Sequence, residues 1–286
     1  MSGRRSTWRG AWCARHLAAA ILCVSIDAGA SPETDRLSEL AARGERAAIE
    51  SLIELARRDK DAEAEYALGV LAYEGRGLER NYRQSFQLFE RSAAKGHAEA
   101  GNMLGYFFEH GIGTQVDLPK ATTAYTRAAQ AGSPRARTNL GWFYEHGIGV
   151  EKNPATAAEW YRQAADQGLA AAHANLAHLY ESGEGVSRNP IIAIALYERA
   201  LAGGIMSAAL RLGHLHEARA NVGAATDHFL IAANAKVPEA DYAAGRLLVA
   251  PGNPRRNVEQ GVQWLKQAAA RGDAEATQLL ARLPGK

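Results

Sequence analysis

The sequence predicts an all-α solenoid of about six helix pairs with capping helices at both ends. Three observations lead there. A Leu-Gly step recurs at Leu68-Gly69, Leu104-Gly105, Leu140-Gly141, Leu176-Ala177, Leu212-Gly213 and Ala244-Gly245, at spacings of 36, 36, 36, 36 and 32 residues. An alanine-rich step repeats in parallel, from "AAKG" at Ala93 to "AAARG" at Ala268. Between the two marks lies a glycine-bearing loop followed by Asn or Asp. A fixed period of this length is the mark of stacked supersecondary units, each unable to bury its apolar face alone.

The first thirty residues stand apart. Arg4, Arg5, Arg9 and Arg15 precede the apolar run "LAAAILCVSI", and "AGA" at Ala28–Ala30 offers a small-x-small cleavage pattern. This reads as a secretory signal peptide cut after Ala30. The run is too short for a permanent membrane anchor, so no stable insertion is expected after cleavage. Residues 31–60 then supply N-terminal capping helices: "ETDRLSELAAR" from Glu33, and "ERAAIESLIELARRDKD" from Glu45, which resembles a lone second helix. Residues 61–286 form the repeat solenoid. Its last stretch, "DAEATQLLARL", is a truncated first helix. The fifth unit lacks four loop residues, and the sixth replaces the glycine loop with "PGNP" at Pro251, so local irregularity is expected in both.

Within each unit the loop explains itself. Gly75 and Gly77, with their equivalents up to Gly183 and Gly185, follow the first helix, where glycine suits a left-handed C-cap. Four residues on come Asn81, Asp117, Asn153 and Asn189, continued by Asn221 and Asn257. These are the best N-cap types. Pro154 and Pro190 follow at the first helical position, where a missing N–H costs nothing. "LGWFYEHGIGVEKNP" at Leu140 is thus a helix-stop and helix-start signal. A phosphate loop would need a preceding strand and a Gly-Lys-Ser/Thr ending. In the second helix, small residues at Ser85, Ala121, Ala157, Ala193, Ala225 and Gly261 permit close approach. Large ones at Phe89, Tyr125, Tyr161, Tyr197, Phe229 and Leu265 fill the space between helices.

Charge and cysteine content narrow the chemistry. The chain has 33 basic and 31 acidic residues. Removal of residues 1–30 takes four arginines and one aspartate and leaves 29 and 30. A nearly neutral mature chain gives no case for nucleic-acid binding. Cys13 and Cys23 both precede the cut, so neither a disulfide nor a thiolate metal site is expected. No His-Glu-x-x-His zinc helix occurs, and no metal or cofactor is expected. Glu109-His110 and Glu145-His146 lack a neighbouring nucleophile and read as solvated helix-end residues.

With these columns in place, the chain resembles the Sel-1-like repeat family, relatives of the tetratricopeptide repeats. The resemblance rests on "A-x-LG-x-x-Y-x-x-G-x-GV-x-x-N…A-x-x-WY-x-x-AA-x-x-G", best matched from Ala136 to Gly168. It implies a right-handed α/α superhelix and a role as an interaction scaffold in signalling, envelope regulation, secretion or quality control. It also implies that the first helices line the concave face. Some secreted, cysteine-rich members are associated with β-lactam binding or hydrolysis, and the cysteine-free mature chain departs from that subset.

On the first helices, the residue after the Leu-Gly step reads Val70, Tyr106, Trp142, His178, His214 and Arg246. Three positions on come Tyr73, Glu109, Glu145, Glu181, Glu217 and Val249, on the same helix face. The expected binding surface is therefore an aromatic and histidine ridge (Tyr106, Trp142, His178, His214) beside a glutamate ridge (Glu109, Glu145, Glu181, Glu217). It suits an extended peptide with basic or apolar side chains. The expected function is a periplasmic or secreted scaffold that binds another protein and catalyses nothing. Two alternatives are an envelope hydrolase acting on cell-wall or β-lactam-like substrates, and a polysaccharide-binding module using Trp142 and Tyr106. Trp160, on a second helix, is expected to support packing.

Overall fold

The computed structural model describes residues 32–58 and 60–283. The predicted leader and its cleavage site lie outside them. Fifteen α-helices and no strand occur among the described residues. They fall into two compact units, divided between His97 and Ala98.

The first unit holds α1 (Pro32–Ala42), α2 (Arg46–Arg58), α3 (Ala62–Glu74) and α4 (Tyr82–Ala94). The helices expected from Glu33 and Glu45 are α1 and α2, and they bury Ala41, Ile49 and Leu52 against Leu68, Leu71 and Leu88. A buried carboxylate held by two surface cations ties α3 to α4. Glu65, only 3% exposed, accepts from Arg91 Nε at 2.9 Å and Lys95 Nζ at 2.5 Å. Two cations compensate a carboxylate whose desolvation is otherwise costly.

The second unit begins with the helix pairs α5 (Ala98–His110) and α6 (Leu118–Gln130), α7 (Pro134–His146) and α8 (Pro154–Asp166), α9 (Ala170–Ser182) and α10 (Pro190–Ala202). It continues with α11 (Ser207–Ala218) and α12 (Val222–Asn234), α13 (Ala240–Val249) and α14 (Val258–Ala270), and ends on the single helix α15 (Ala274–Arg282). Each helix packs on its chain neighbours, and α5 also touches α7. Tyr125, Leu140 and Phe143 share one core cluster with the alanines of α6, and Phe229 anchors another with Ala209, Ala225 and Ala240.

The caps form as expected. Asn153 Oδ1 accepts from Thr156 N at 3.1 Å, and Asn81, Asp117, Asn189, Asn221 and Asn257 cap their helices in the same way. Asn153→Ala should cost about 1 kcal/mol through the lost cap. A thermal or urea denaturation midpoint equal to the parent's would contradict that role.

The Leu-Gly step has a tertiary cause. A methyl group on Gly141 would lie 2.6 Å from the Tyr161 ring, and one on Gly213 would lie 2.4 Å from the Phe229 ring. The large second-helix residue therefore packs directly on the first-helix backbone. The two loop glycines also differ in purpose. Gly147 (φ 70°) ends α7 in the left-handed conformation and donates its N–H to Phe143 O. Gly185 (φ 70°) sits against the start of α8, where a methyl group would lie 2.3 Å from the Pro154 carbonyl carbon. The second glycine thus holds one repeat against the one before it.

Both expected irregularities appear. The short fifth unit turns through Ala220 at φ 58°, a position most L-residues avoid. In the sixth, Asn253 is buried and takes over the loop's task. Its Nδ2 donates to Thr226 Oγ1 at 2.9 Å and Leu247 O at 2.6 Å, while Arg255 pairs with Asp227. A side-chain strut stands where the other units use glycine.

Candidate functional site

Four helices of the second unit, α5, α7, α9 and α11, carry Tyr106, Trp142, His178 and His214 at one register. Tyr106 and Trp142 are half-buried, whereas His178 and His214 are exposed. Trp142 leans on the cluster around Tyr125, Leu140 and Phe143, and so does Trp160. The two tryptophans are therefore less distinct than their helices suggested, because both lend part of their surface to packing.

Each aromatic ring carries a histidine. The His110 ring centroid lies 4.2 Å from that of Tyr106, and His146 lies 3.6 Å from Trp142. In each case Nδ1 faces the carbonyl oxygen four residues back, at 3.0 and 3.1 Å. A carbonyl can only accept, so Nδ1 holds the proton and Nε2 is left as the lone-pair nitrogen of the neutral ring. His110 and His146 are exposed, as expected, but the stacking orients them. His214 meets Phe229 edge-on at 5.0 Å. Partial desolvation of the ring, reinforced by Arg211, lowers its pKa below the ordinary histidine value.

The glutamate column corrects the expectation of a solvated ridge. Glu145 is 7% exposed, and the Tyr161 hydroxyl donates to its Oε2 at 2.7 Å. Tyr125 binds Glu109 Oε2 in the same way at 2.7 Å, and Tyr197 binds Glu181 Oε2 at 2.9 Å. Glu181 also holds Arg211, whose Nε meets Oε2 at 3.1 Å and Nη2 meets Oε1 at 2.5 Å. Burial and the adjacent Glu181 push the Tyr197 hydroxyl far above its usual pKa, with Arg211 opposing, so it stays a donor. In the fifth unit Phe229 has no hydroxyl to offer. Glu217 instead takes Arg246 Nη2 at 2.8 and 2.9 Å. The column is thus a row of struts joining first helices to second helices and to the next repeat. Glu145 and His146, adjacent in sequence, turn to different partners.

Sequence reasoning overlooked these partners although their signal was present. Tyr125, Tyr161 and Tyr197 each stand 16 residues after a glutamate of the column, and Arg211 stands 30 after Glu181. Val70 and Tyr73 lie in the first unit, on α3, and Arg246 and Val249 on α13. Among the described residues no cluster of three histidine, cysteine or acidic side chains could hold a metal ion, and no helix is long and apolar enough to cross a membrane.

The Sel1 repeat model matches residues 62–97, 98–133, 134–169, 170–205 and 238–273. The unmatched interval, 206–237, is the unit shortened by four residues. No curated protein matches the chain significantly. Among solved structures, the chain is similar to a protective antigen of uropathogenic Escherichia coli displaying an SLR fold. The identity is 26% and the TM-score 0.75, over 86% of this chain and 56% of the antigen. The chain therefore spans little more than half of that relative. It is also similar to a Sel1 repeat protein from Oxalobacter formigenes, at 26% identity and a TM-score of 0.69, over 84% of this chain and 97% of that one.

Proposed function

The chain belongs to the Sel1 repeat family, and we propose that it is a non-catalytic scaffold holding another protein, or an extended peptide, on the face of its first helices. The observation that carries this reading is the register of Tyr106, Trp142, His178 and His214. Core columns of the same repeats are buried, yet this column keeps aromatic and imidazole surface accessible on four helices in succession. Large amphipathic rings give contact area at low entropic cost, which is why such residues anchor interfaces.

The arginine-flanked apolar start and "AGA" at Ala28–Ala30 support export to the periplasm or beyond, with a partner in that compartment. The test is affinity capture from envelope extract with the chain as bait, followed by titration of the captured protein. Trp142→Ala should weaken that partner by roughly 2 kcal/mol or more. Trp160→Ala should chiefly lower stability and leave affinity near the parent value at temperatures where both variants are folded. Equal affinity for Trp142→Ala and the parent would remove the ridge from the interface.

A further inference from the structure

The repeats present the same glutamate in two states. In the fourth unit the Glu181 carboxylate is shared. The Tyr197 hydroxyl occupies Oε2 at 2.9 Å, and the Arg211 guanidinium spans Oε2 and Oε1 at 3.1 and 2.5 Å. In the second and third units the tyrosine half is reproduced atom for atom: Tyr125 on Glu109 Oε2 and Tyr161 on Glu145 Oε2, each at 2.7 Å. The guanidinium half is not. The residues 30 after Glu109 and Glu145 are Asn139 and Asn175, too short to reach as Arg211 does. Asn139 donates its amide to Asn102 Oδ1 at 2.9 Å instead. Among the described residues no lysine or arginine pairs with Glu109 or Glu145.

One turn before Glu145 on the same helix face is the half-buried Trp142, with His146 stacked on its ring, and one turn before Glu109 is Tyr106, which carries His110. A carboxylate oxygen next to an aromatic surface matches a guanidinium, which forks onto carboxylates and stacks on rings; a compact ammonium does neither so well. Building on the reading of the first-helix face as a protein-binding surface, we propose that Glu109 and Glu145 are seats for two arginine side chains of an extended partner segment. Arg211 shows, within this chain, how such a seat is filled. The spacing suits the partner chemistry. Packed helices such as α5 and α7 lie about 8–10 Å apart, and a partner segment in the polyproline-II conformation advances about 9 Å in three residues while returning to the same face. The partner motif is therefore two arginines three residues apart.

The test uses a fluorescent peptide of repeated Gly-Ser-Arg triplets, with Gly-Ser-Lys and Gly-Ser-Glu versions beside it. The parent should bind the arginine peptide most tightly. The double variant Glu109→Gln/Glu145→Gln keeps an oxygen for each tyrosine hydroxyl and should bind about tenfold more weakly, the size expected when charge-assisted hydrogen bonds are lost. Asn175→Arg supplies an internal guanidinium at the register of Arg211 and should weaken the peptide several-fold while the fold is retained. Glu159→Gln/Glu198→Gln removes the same charge from second helices and should change nothing. Unchanged binding in the Glu109/Glu145 variant would overturn the proposal, as would an equal loss in the Glu159/Glu198 variant or equal affinity for the lysine peptide. Titration of the captured envelope partner separates this proposal from the one it rests on. A partner lost by Trp142→Ala but kept by the glutamine pair refutes the seats and leaves the ridge standing. A partner indifferent to Trp142→Ala refutes the ridge even where the arginine peptide still depends on the two glutamates.

Discussion

Gly185→Ala should destabilise the second unit by about 3 kcal/mol or more, because it combines two of the mechanisms behind large mutational losses. The backbone there sits at φ 70°, which costs an L-residue roughly 1–2 kcal/mol. The added methyl group would also lie 2.3 Å from the Pro154 carbonyl carbon, 2.4 Å from its oxygen and 2.5 Å from Ala155 N. Those neighbours are backbone at the start of α8 and cannot rotate away as a side chain would, so overpacking strain adds to the dihedral strain. Gly168→Ala isolates the two terms. Gly168 has φ 84° and open space where its methyl group would go, so only the conformational cost of roughly 1–2 kcal/mol should appear. Urea denaturation followed by far-ultraviolet circular dichroism gives both values. A Gly185→Ala midpoint equal to that of Gly168→Ala would show that the backbone approach does not constrain the repeat stack.

Tyr161→Ala should cost about 3–5 kcal/mol, the range for emptying a buried aromatic site. Tyr161 is fully buried against Gly141, and its hydroxyl satisfies Glu145. Tyr161→Phe keeps the ring and removes only the donor. It should cost about 1–3 kcal/mol, because the buried Glu145 carboxylate is left short of a partner. Adding Glu145→Leu to Tyr161→Phe should recover much of that loss, since replacing both members of a buried polar pair is far cheaper than removing one. Thermal unfolding of the four proteins closes the cycle. Additive losses in the double variant would mean that the two side chains stabilise the repeat independently.

The local grammar of the repeat was open to sequence reading because it is local. A helix stop at Gly147, a cap at Asn153 and a first-turn proline at Pro154 act within a few residues, and each places a known group on a known backbone atom. The period of 36 did the rest, since six copies of one signal leave little room for another fold. The partners of the glutamate column escaped sequence reading for the opposite reason. Glu145 has the same helix register and flanking residues whether it faces water or Tyr161, and its partner is 16 residues away on another helix. Trp142 and Trp160 were separated by helix but share one cluster, because a residue's surroundings come from both neighbouring repeats.

By itself the sequence determined the helix count, the loop design, the shortened fifth unit and the register of the Tyr106–Trp142–His178–His214 column, all of which follow from backbone geometry and a 36-residue period broken once. Only the tertiary structure decided which polar groups were already engaged. Hydrogen bonds and ion pairs depend on distances of a few ångströms between segments that chain order leaves unspecified. A column of four glutamates could therefore look uniform in the sequence and yet resolve into two that hold arginines and two that do not.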